Sequence, residues 1–440
     1  MKDAPTAIDL FCGAGGISKG LSDAGFDVLW GIDNDKNAKP TFEANHDCEM
    51  TVGDIRKTDP PDLGLEPGEL DLLAGGPPCP TFSLVGRSKI NSLDGRSNTS
   101  DERHLLYEDF LRYVDHYQPK AFLMENVRGM LSAKNKQGQS VVDVITEQME
   151  QLGYTVRVQL LDAADFGVPQ HRRRVFFIGN RAGLENPDMN VWRTHREPRS
   201  EEEKNIKYVV SERQLSVDFP ENGRREEFPV FRKNRGKDPW NTVADGILDL
   251  PPVSPNGETP PKKAENYTIG PVSEYQKWAR NIPDGTDWED MPLHNHVCRG
   301  HNMRDLTLYK LLGEGVSYII GDIPEQHQPY RSDVFPDKLK KQNPKTPATT
   351  IVAHLYKDGH MFIHPTEARS LTVREAARLQ SFRDTFEFPV ARTHAFKQVG
   401  NAVPPLLAQA IGTAIRREVL ECESPEVEAT VHEEGGRAQN

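Results

Sequence analysis

Residues 7–33 read AIDLFCGAGGISKGLSDAGFDVLWGID, and four structural units are legible in them. Ala7 to Phe11 is a short apolar run that predicts a buried strand. A glycine-rich turn follows at Gly13, Gly15 and Gly16. Ile17 to Ala24 has helical apolar spacing, and Phe26 to Ile32 predicts a second strand. Glycines at that turn let the backbone approach a ligand and present helix N-terminal amides to it. The dinucleotide fingerprint needs a further glycine at position 18, where Ser18 stands, so a pyrophosphate is not demanded. Asp33 closes the second strand twenty residues after Gly13, where an acid bonds ribose hydroxyls. Asp54, in Val52-Gly53-Asp54-Ile55, is placed to meet an adenine amine. Together these residues suggest a nucleoside cofactor, and a tight strand-to-helix turn without a ligand is the plainer alternative.

The alternation continues outward. Leu70 to Ala74, Ala121 to Met124 and Val175 to Ile178 are further strand-like runs, and Leu105 to Tyr117 and Val141 to Leu152 carry helical spacing. Strands alternating with helices predict an α/β domain, a mostly parallel sheet with helices on both faces. Beyond Asn180 the chain turns rich in Pro, Asn, Gly and charge, yet keeps aromatic anchors such as Trp192, Trp240, Tyr267 and Trp288. Disordered segments are poor in aromatics, so residues 181–345 read as a second, loop-rich domain. Regular structure is expected to resume at Ala348 to Val352, with helices over Val373 to Gln380 and about Pro405 to Leu420.

Bulk properties exclude little. The chain has 440 residues, 27% charged and 36% hydrophobic, as ordinary globular proteins do. No apolar run has membrane-spanning length and the first residues do not suit a secretory signal, which predicts a cytoplasmic or nuclear protein. Five cysteines (Cys12, Cys48, Cys79, Cys298, Cys422) lack paired spacing, which speaks against a zinc site or a disulfide framework, and no metal is expected. The net charge of −12 disfavours nucleic acid at first sight. Residues 421–440 carry −5 of it in what reads as a disordered acidic tail, whereas Gln170 to Lys237 carry +5. Charge does not decide the partner.

Three motifs fall at predicted strand ends. Gly75-Gly76-Pro77-Pro78-Cys79 runs from a strand into a turn whose prolines fix φ, so Cys79 is expected to point into the cleft. Val85 to Arg103 after it has the composition of a mobile lid. Met124-Glu125-Asn126-Val127 ends an apolar strand with a carboxylate that is costly to bury unpartnered. Gln170-His171-Arg172-Arg173-Arg174 puts Arg172 and Arg174 on one side if extended. A buried ion pair and a solvated strand edge explain these residues singly, but not their coincidence.

In order, DLFCGAGG, GGPPCPTFS, MENV, QHRRRVFFIG, RSLTVREAARLQSF and QVGNAVPP strongly resemble the cytosine-5 DNA methyltransferases over residues 6–180 and about 345–415. The resemblance implies a Rossmann-like S-adenosylmethionine-dependent methyltransferase fold, with residues 1–180 and 346–420 as catalytic domain and 181–345 as a smaller, irregular target-recognition domain. It implies that Phe11, Gly13, Gly15 and Gly16 line the S-adenosylmethionine pocket, with Asp33 at the ribose and Asp54 at the adenine. Cys79 would be the nucleophile, Glu125 would hold the cytosine edge, and Gln170, Arg172 and Arg174 would match the family's QxRxR. Asn401 would close the cofactor site, bringing the C-terminus onto the first turn. Implied partners are double-stranded DNA and a companion restriction endonuclease, for a monomeric chain in the cytoplasm. Pro80 replaces the usual Gln after the nucleophile, Asp33 the commoner Glu, and Arg383 an expected Pro; none removes a catalytic group.

The implied chemistry is thiolate addition at carbon 6 of a flipped cytosine, which makes carbon 5 able to take a methyl group. Glu125 would hold or protonate ring nitrogen 3, which calls for a raised pKa, and Arg174 would steady the base oxygen. Three rivals stand beside this reading. They are a transfer-RNA methyltransferase, whose Cys-Phe-Thr signature is missing, an inactive DNA-bound scaffold, and a nicotinamide dehydrogenase.

Overall fold

The computed structural model describes residues 4–78, 106–135, 137–199, 207–211, 214–218, 231, 237–256, 259–281, 287–313, 317–318, 323–329, 338–357 and 359–422. Its centre is a seven-stranded sheet. The strands are β1 (Thr6–Leu10), β2 (Asp27–Asp33), β3 (Glu49–Val52), β4 (Leu72–Gly75), β5 (Ala121–Val127), β6 (Thr155–Asp162) and β7 (Arg173–Asn180), in the order β3-β2-β1-β4-β5-β7-β6. β3, β2, β1, β4 and β5 pair in parallel, and β7 runs antiparallel between β5 and β6. Ile8, Leu10, Leu72, Leu73 and Ala74 are fully buried, as strands covered on both faces require. The chain leaves β1 toward β2 on one side and returns through β4 on the other. The crevice beyond the carboxyl ends of β1 and β4 is therefore the place where a ligand fits this topology.

Helices cover the sheet, five of them where apolar spacing placed them, with α2 and α6 in addition. α1 (Gly16–Asp23) follows the glycine turn and α2 (Lys39–Asn45) precedes β3. α3 (Leu106–Tyr117) buries Leu106, Phe110, Tyr113, Val114 and Tyr117, one stripe of an amphipathic helix, and α4 (Val141–Gln151) buries Val141, Ile145 and Met149. At the C-terminus lie α5 (Val373–Leu379), α6 (Arg392–Asn401) and α7 (Pro405–Ile415), the last continued by one wider turn to Leu420. α7 packs on α1 so closely that a Cβ at Gly20 would stand 2.5 Å from the Ala408 side chain. The expected return of the C-terminus to the first turn is thus part of the fold. Ala348 to Val352, expected as regular structure, forms only a single bridge between Gln170 and Ala348. Among the described residues no helix is long and apolar enough to cross a membrane.

The second half of the chain shares its cores with the first. Trp192, Phe231, Tyr275 and Trp278 join the cluster beneath the sheet and α7. Val243, Leu250, Tyr267 and Leu293 pack with Ile351, Leu371, Val373 and Phe396 in another. Polar ties run alongside. Arg378 of α5 donates to Asp249 at 2.9 Å and to Asp384 at 2.7 Å, and Arg280 donates to Asp249 at 2.7 Å, all with fully buried or nearly buried side chains. Tyr267 donates its hydroxyl to Asp384. Breaking such a network leaves a buried charge unpaired, so it fixes how residues 249–280 sit on α5.

Asp9 is the one acid inside β1. Ser18 donates to it from both backbone N (3.1 Å) and Oγ (2.6 Å), tying β1 to α1, and its Oδ1 has no partner among the described residues. Burial pushes its pKa up to about 7. A raised folded-state pKa favours the protonated native chain, so this contribution is fully present near pH 4 and is lost as pH rises to 7. Asp9→Asn should remove that loss. Urea unfolding of both proteins at pH 4 and pH 7 should show the variant gaining on wild type by up to about 4 kcal/mol across the interval. Parallel pH dependences would contradict the placement.

Candidate active site

The turn after β1 is shaped by left-handed backbone at Phe11 (φ 59°), Gly13 (φ 54°) and Gly15 (φ 85°). Asp33, at the end of β2, accepts a hydrogen bond from Gly13 N at 3.0 Å and another from Asp35 N at 2.8 Å. Burial raises its pKa above the ordinary value. A Cβ at Gly13 would meet only the Asp33 carboxylate, 4.0 Å away, so open space lies over that glycine. A nucleoside cofactor fits there: backbone that can be approached closely, amides at a helix start, and an acid with lone pairs to spare. At Gly16 the constraint is packing, because a Cβ would lie 2.4 Å from the Val403 carbonyl oxygen.

Other expected cofactor residues sit around this turn. Asp54 caps the short turn Ile55–Lys57 by accepting from Arg56 N at 3.2 Å, and its carboxylate pairs with the Arg56 guanidinium at 2.6 Å. The Arg56 hydrogen bond holds its pKa down. Asn401 closes α6 and its side of that helix faces solvent. Two residues escaped sequence reasoning. Lys397 of α6 pairs with Asp35 at 2.7 Å, and Gln398 donates to Asn37 O at 2.7 Å, so α6 clamps the loop after β2.

The catalytic candidates lie one strand further along. Gly75 ends β4 beside Met124 of β5, and the chain continues through Gly76, Pro77 and Pro78. Asn126 Nδ2 donates to Pro77 O at 3.0 Å, and a Cβ at Gly76 would stand 3.1 Å from Glu125 Oε2. The base of the Pro-Pro loop is therefore pressed against Glu125-Asn126. Cys79 and the expected lid, Val85 to Arg103, lie outside the described residues.

Glu125 and Arg174 are brought together. Arg174 Nε stands 2.9 Å from Glu125 Oε1, both side chains about 15% exposed, across the β5–β7 pair. Burial raises the Glu125 pKa, against the opposing charges of Arg174 and Arg172. Arg172 takes another course. It precedes β7, is buried, and donates to Ile351 O (2.9 Å), Gly400 O (3.1 Å) and Asn401 O (3.3 Å). Its guanidinium ties the QHRRR loop to the C-terminal segments, and its charge acts on both Arg174 and Glu125. Gln170 does the same, donating to Leu379 O at 3.0 Å and accepting from Ile351 N at 2.8 Å.

A cavity of about 350 Å³ opens beside Arg174, lined also by Arg128, His171, Arg173 and Thr350. His171 and Arg173 were inside the quoted motif and Arg128 just beyond MENV, but Thr350 carried no sequence signal. An acid of raised pKa paired with a guanidinium, at the mouth of a cationic cavity, is equipped to hold a neutral heterocycle by its polar edge and pass it a proton.

Comparison with known proteins concerns the chain as a whole. The family model described as C-5 cytosine-specific DNA methylase matches residues 6–417. Type II methyltransferase M.DdeI of Desulfomicrobium norvegicum is 33% identical over 93% of this chain and 88% of its own length. Type II methyltransferase M.AgeI of Thalassovita gelatinovora is 31% identical over 93% of this chain and 98% of its own. A solved structure described as a DNA modification methyltransferase encoded within an E. coli prophage superimposes with a TM-score of 0.65 at 22% identity, covering 95% of this chain and all of that one, a likeness of fold.

Proposed function

The chain belongs to the C-5 cytosine-specific DNA methylases and is a DNA cytosine-5 methyltransferase, and from that premise we propose how its residues divide the work. Glu125 and Arg174 grip the target cytosine, Cys79 is the nucleophile, and the crevice at Phe11 to Gly16 holds S-adenosylmethionine. The carrying observation is the 2.9 Å pair of Glu125 and Arg174 beside the base of the loop that leads to Cys79.

When bound, S-adenosylmethionine would supply an electrophilic methyl group on its sulfonium. Phe11, Gly13, Gly15 and Gly16 give it close backbone and helix-start amides, and Asp33 takes the ribose hydroxyls. Asp54 reaches the adenine amine from its pairing with Arg56, and Asn401 closes the site from α6. The other half of the work falls on the base. Glu125 places its proton at ring nitrogen 3, which draws electrons from carbon 6 and opens it to the Cys79 thiolate. Arg174 holds Glu125 in line and steadies the exocyclic oxygen of the base. Arg172 acts indirectly, holding the QHRRR loop against residues 351 and 400–401 so that Arg174 meets Glu125.

The target must leave the stack to reach this pocket, and residues 181–345 select the surrounding sequence. The type II relatives support a site-specific duplex substrate and a companion endonuclease acting on the same site. Tritium transfer from labelled S-adenosylmethionine to duplex DNA and to transfer RNA tests the reading. Label in the duplex, with KM rising steeply between low and moderate salt, is expected. Label in transfer RNA alone, or duplex affinity indifferent to salt, would overturn it.

A further inference from the structure

Exposed side chains normally roam, yet those on one wall of the cavity beside Arg174 are held. Asp162, at the end of β6, accepts from His171 Nδ1 at 3.1 Å and Arg173 Nε at 3.0 Å through the same oxygen, Oδ2. Its Oδ1 accepts from Arg172 N at 3.0 Å. The side chains so held are 36% and 56% exposed. The His171 ring also stands edge-on to Trp240 at 4.7 Å, and its main chain is bound to Ala348 O and the Thr350 hydroxyl. Against burial, the hydrogen bonds from His171 and Arg173 keep Asp162 ionised, below the ordinary carboxylate range.

This arrangement leaves donors with no partner among the described residues. With Nδ1 turned to a carboxylate, Nε2 is the remaining polar atom of His171. The Nη groups of Arg173 have no partner among the described residues, and Arg128 has no acid within pairing distance there. A cationic wall with prearranged guanidinium and imidazole donors matches an oxyanion with several oxygens. Because Arg174 lines the same cavity, whatever binds this wall lies beside the group that Glu125 holds. A nucleotide swung out of the stack brings its flanking phosphates with it.

We propose that His171, Arg173 and Arg128 form a binding subsite for the phosphodiester next to the flipped cytosine, with Asp162 as the residue that positions it. The subsite rests on the reading given under Proposed function. Asp162 itself does not touch the DNA; it orients the two side chains that do.

The sign of one substitution separates positioning from bulk charge. Removing an anion near DNA strengthens binding on Coulomb grounds, whereas losing the orienting carboxylate weakens it. Bisulfite sequencing of DNA from cells expressing the wild type first identifies the methylated site, and a short duplex carrying that site is then the probe. For His171→Gln and Arg173→Gln, KM for the duplex should rise roughly tenfold at moderate salt, with most of the loss in KM and little in kcat. The slope of log affinity against log salt should fall by about 0.9 for each phosphate that the variant no longer neutralises. Asp162→Asn should weaken duplex binding likewise. Unchanged KM and slope in both glutamine variants, a kcat loss at constant KM, or tighter binding by Asp162→Asn would each overturn the subsite. The glutamine variants alter exposed side chains and carry the test if Asp162→Asn does not fold. A wild type that methylates no DNA would sink the functional reading instead.

Discussion

Cys79→Ala is expected to lower methyl transfer to duplex DNA by about 10⁴-fold or more, while affinity for S-adenosylmethionine stays within several-fold. Carbon 5 of cytosine is too weak a nucleophile to take a methyl group unaided. Addition of a thiolate at carbon 6 turns the ring into an enamine, and splitting one hard step into two easier ones is what a covalent nucleophile supplies. Alanine removes that route and adds no bulk. The proposed cofactor crevice at Phe11 to Gly16 lies beyond the end of β1, away from position 79 in the chain, so S-adenosylmethionine should bind as before. The base of the loop leading to position 79 is fixed by Asn126 Nδ2 on Pro77 O at 3.0 Å. That tether puts Pro77, two residues before position 79, next to Glu125-Asn126. Steady-state transfer of tritiated methyl and a direct cofactor titration check both halves, and normal turnover by the variant would end the proposed mechanism.

Glu125→Gln should be the next largest loss, a fall in kcat of about 10² to 10⁴. The amide keeps the shape and one hydrogen-bond donor, but it cannot deliver a proton to ring nitrogen 3. It also strips Arg174 of the carboxylate 2.9 Å away, leaving a largely buried guanidinium without its charge partner. Burial already raises the Glu125 pKa against Arg174 and Arg172, so the wild type can carry a proton nearer to neutral pH than an ordinary glutamate. The fall in kcat with rising pH that deprotonation of Glu125 causes should therefore be missing from the variant. A kcat within threefold of wild type would show that the carboxyl moves no proton.

Much of the frame was legible because its signals are local. The apolar runs ending at Phe11, Ile32, Ala74, Met124 and Ile178 each became a strand, the first ending one residue earlier at Leu10, and the glycine turn opened a helix. β6 escaped because Thr155–Asp162 is an edge strand, mostly half-buried, whose Arg157 and Gln159 break any apolar run. α6 escaped because Arg392–Asn401 has hardly any amphipathic spacing, and its order comes from packing against residues 352–353, where a Cβ at Gly400 would collide with Ala353.

The site divides along the same line. Glu125 and Arg174 were placed by neighbouring strands, and their meeting follows from sheet pairing. Arg172 lies before β7 begins, and its carbonyl partners at 351, 400 and 401 are some 180 to 230 residues away. No local pattern encodes such a partner. The pairing of Asp162 with His171 and Arg173 is hidden for a simpler reason: it joins the end of β6 to residues before and at the start of β7, which only the sheet pairing brings together.

Convergence of one thiol on the Glu125–Arg174 pocket is best tested by trapping the adduct. A duplex carrying 5-fluorocytosine at the methylated position strands the covalent intermediate, because fluorine cannot leave carbon 5 as a proton does. Incubated with wild type and S-adenosylmethionine, then digested and analysed by mass spectrometry, it should yield a denaturant-resistant adduct on the peptide containing Cys79, absent from Cys79→Ala. An adduct on any other residue, or methyl transfer to the normal duplex without an adduct on the fluorinated one, would contradict the account.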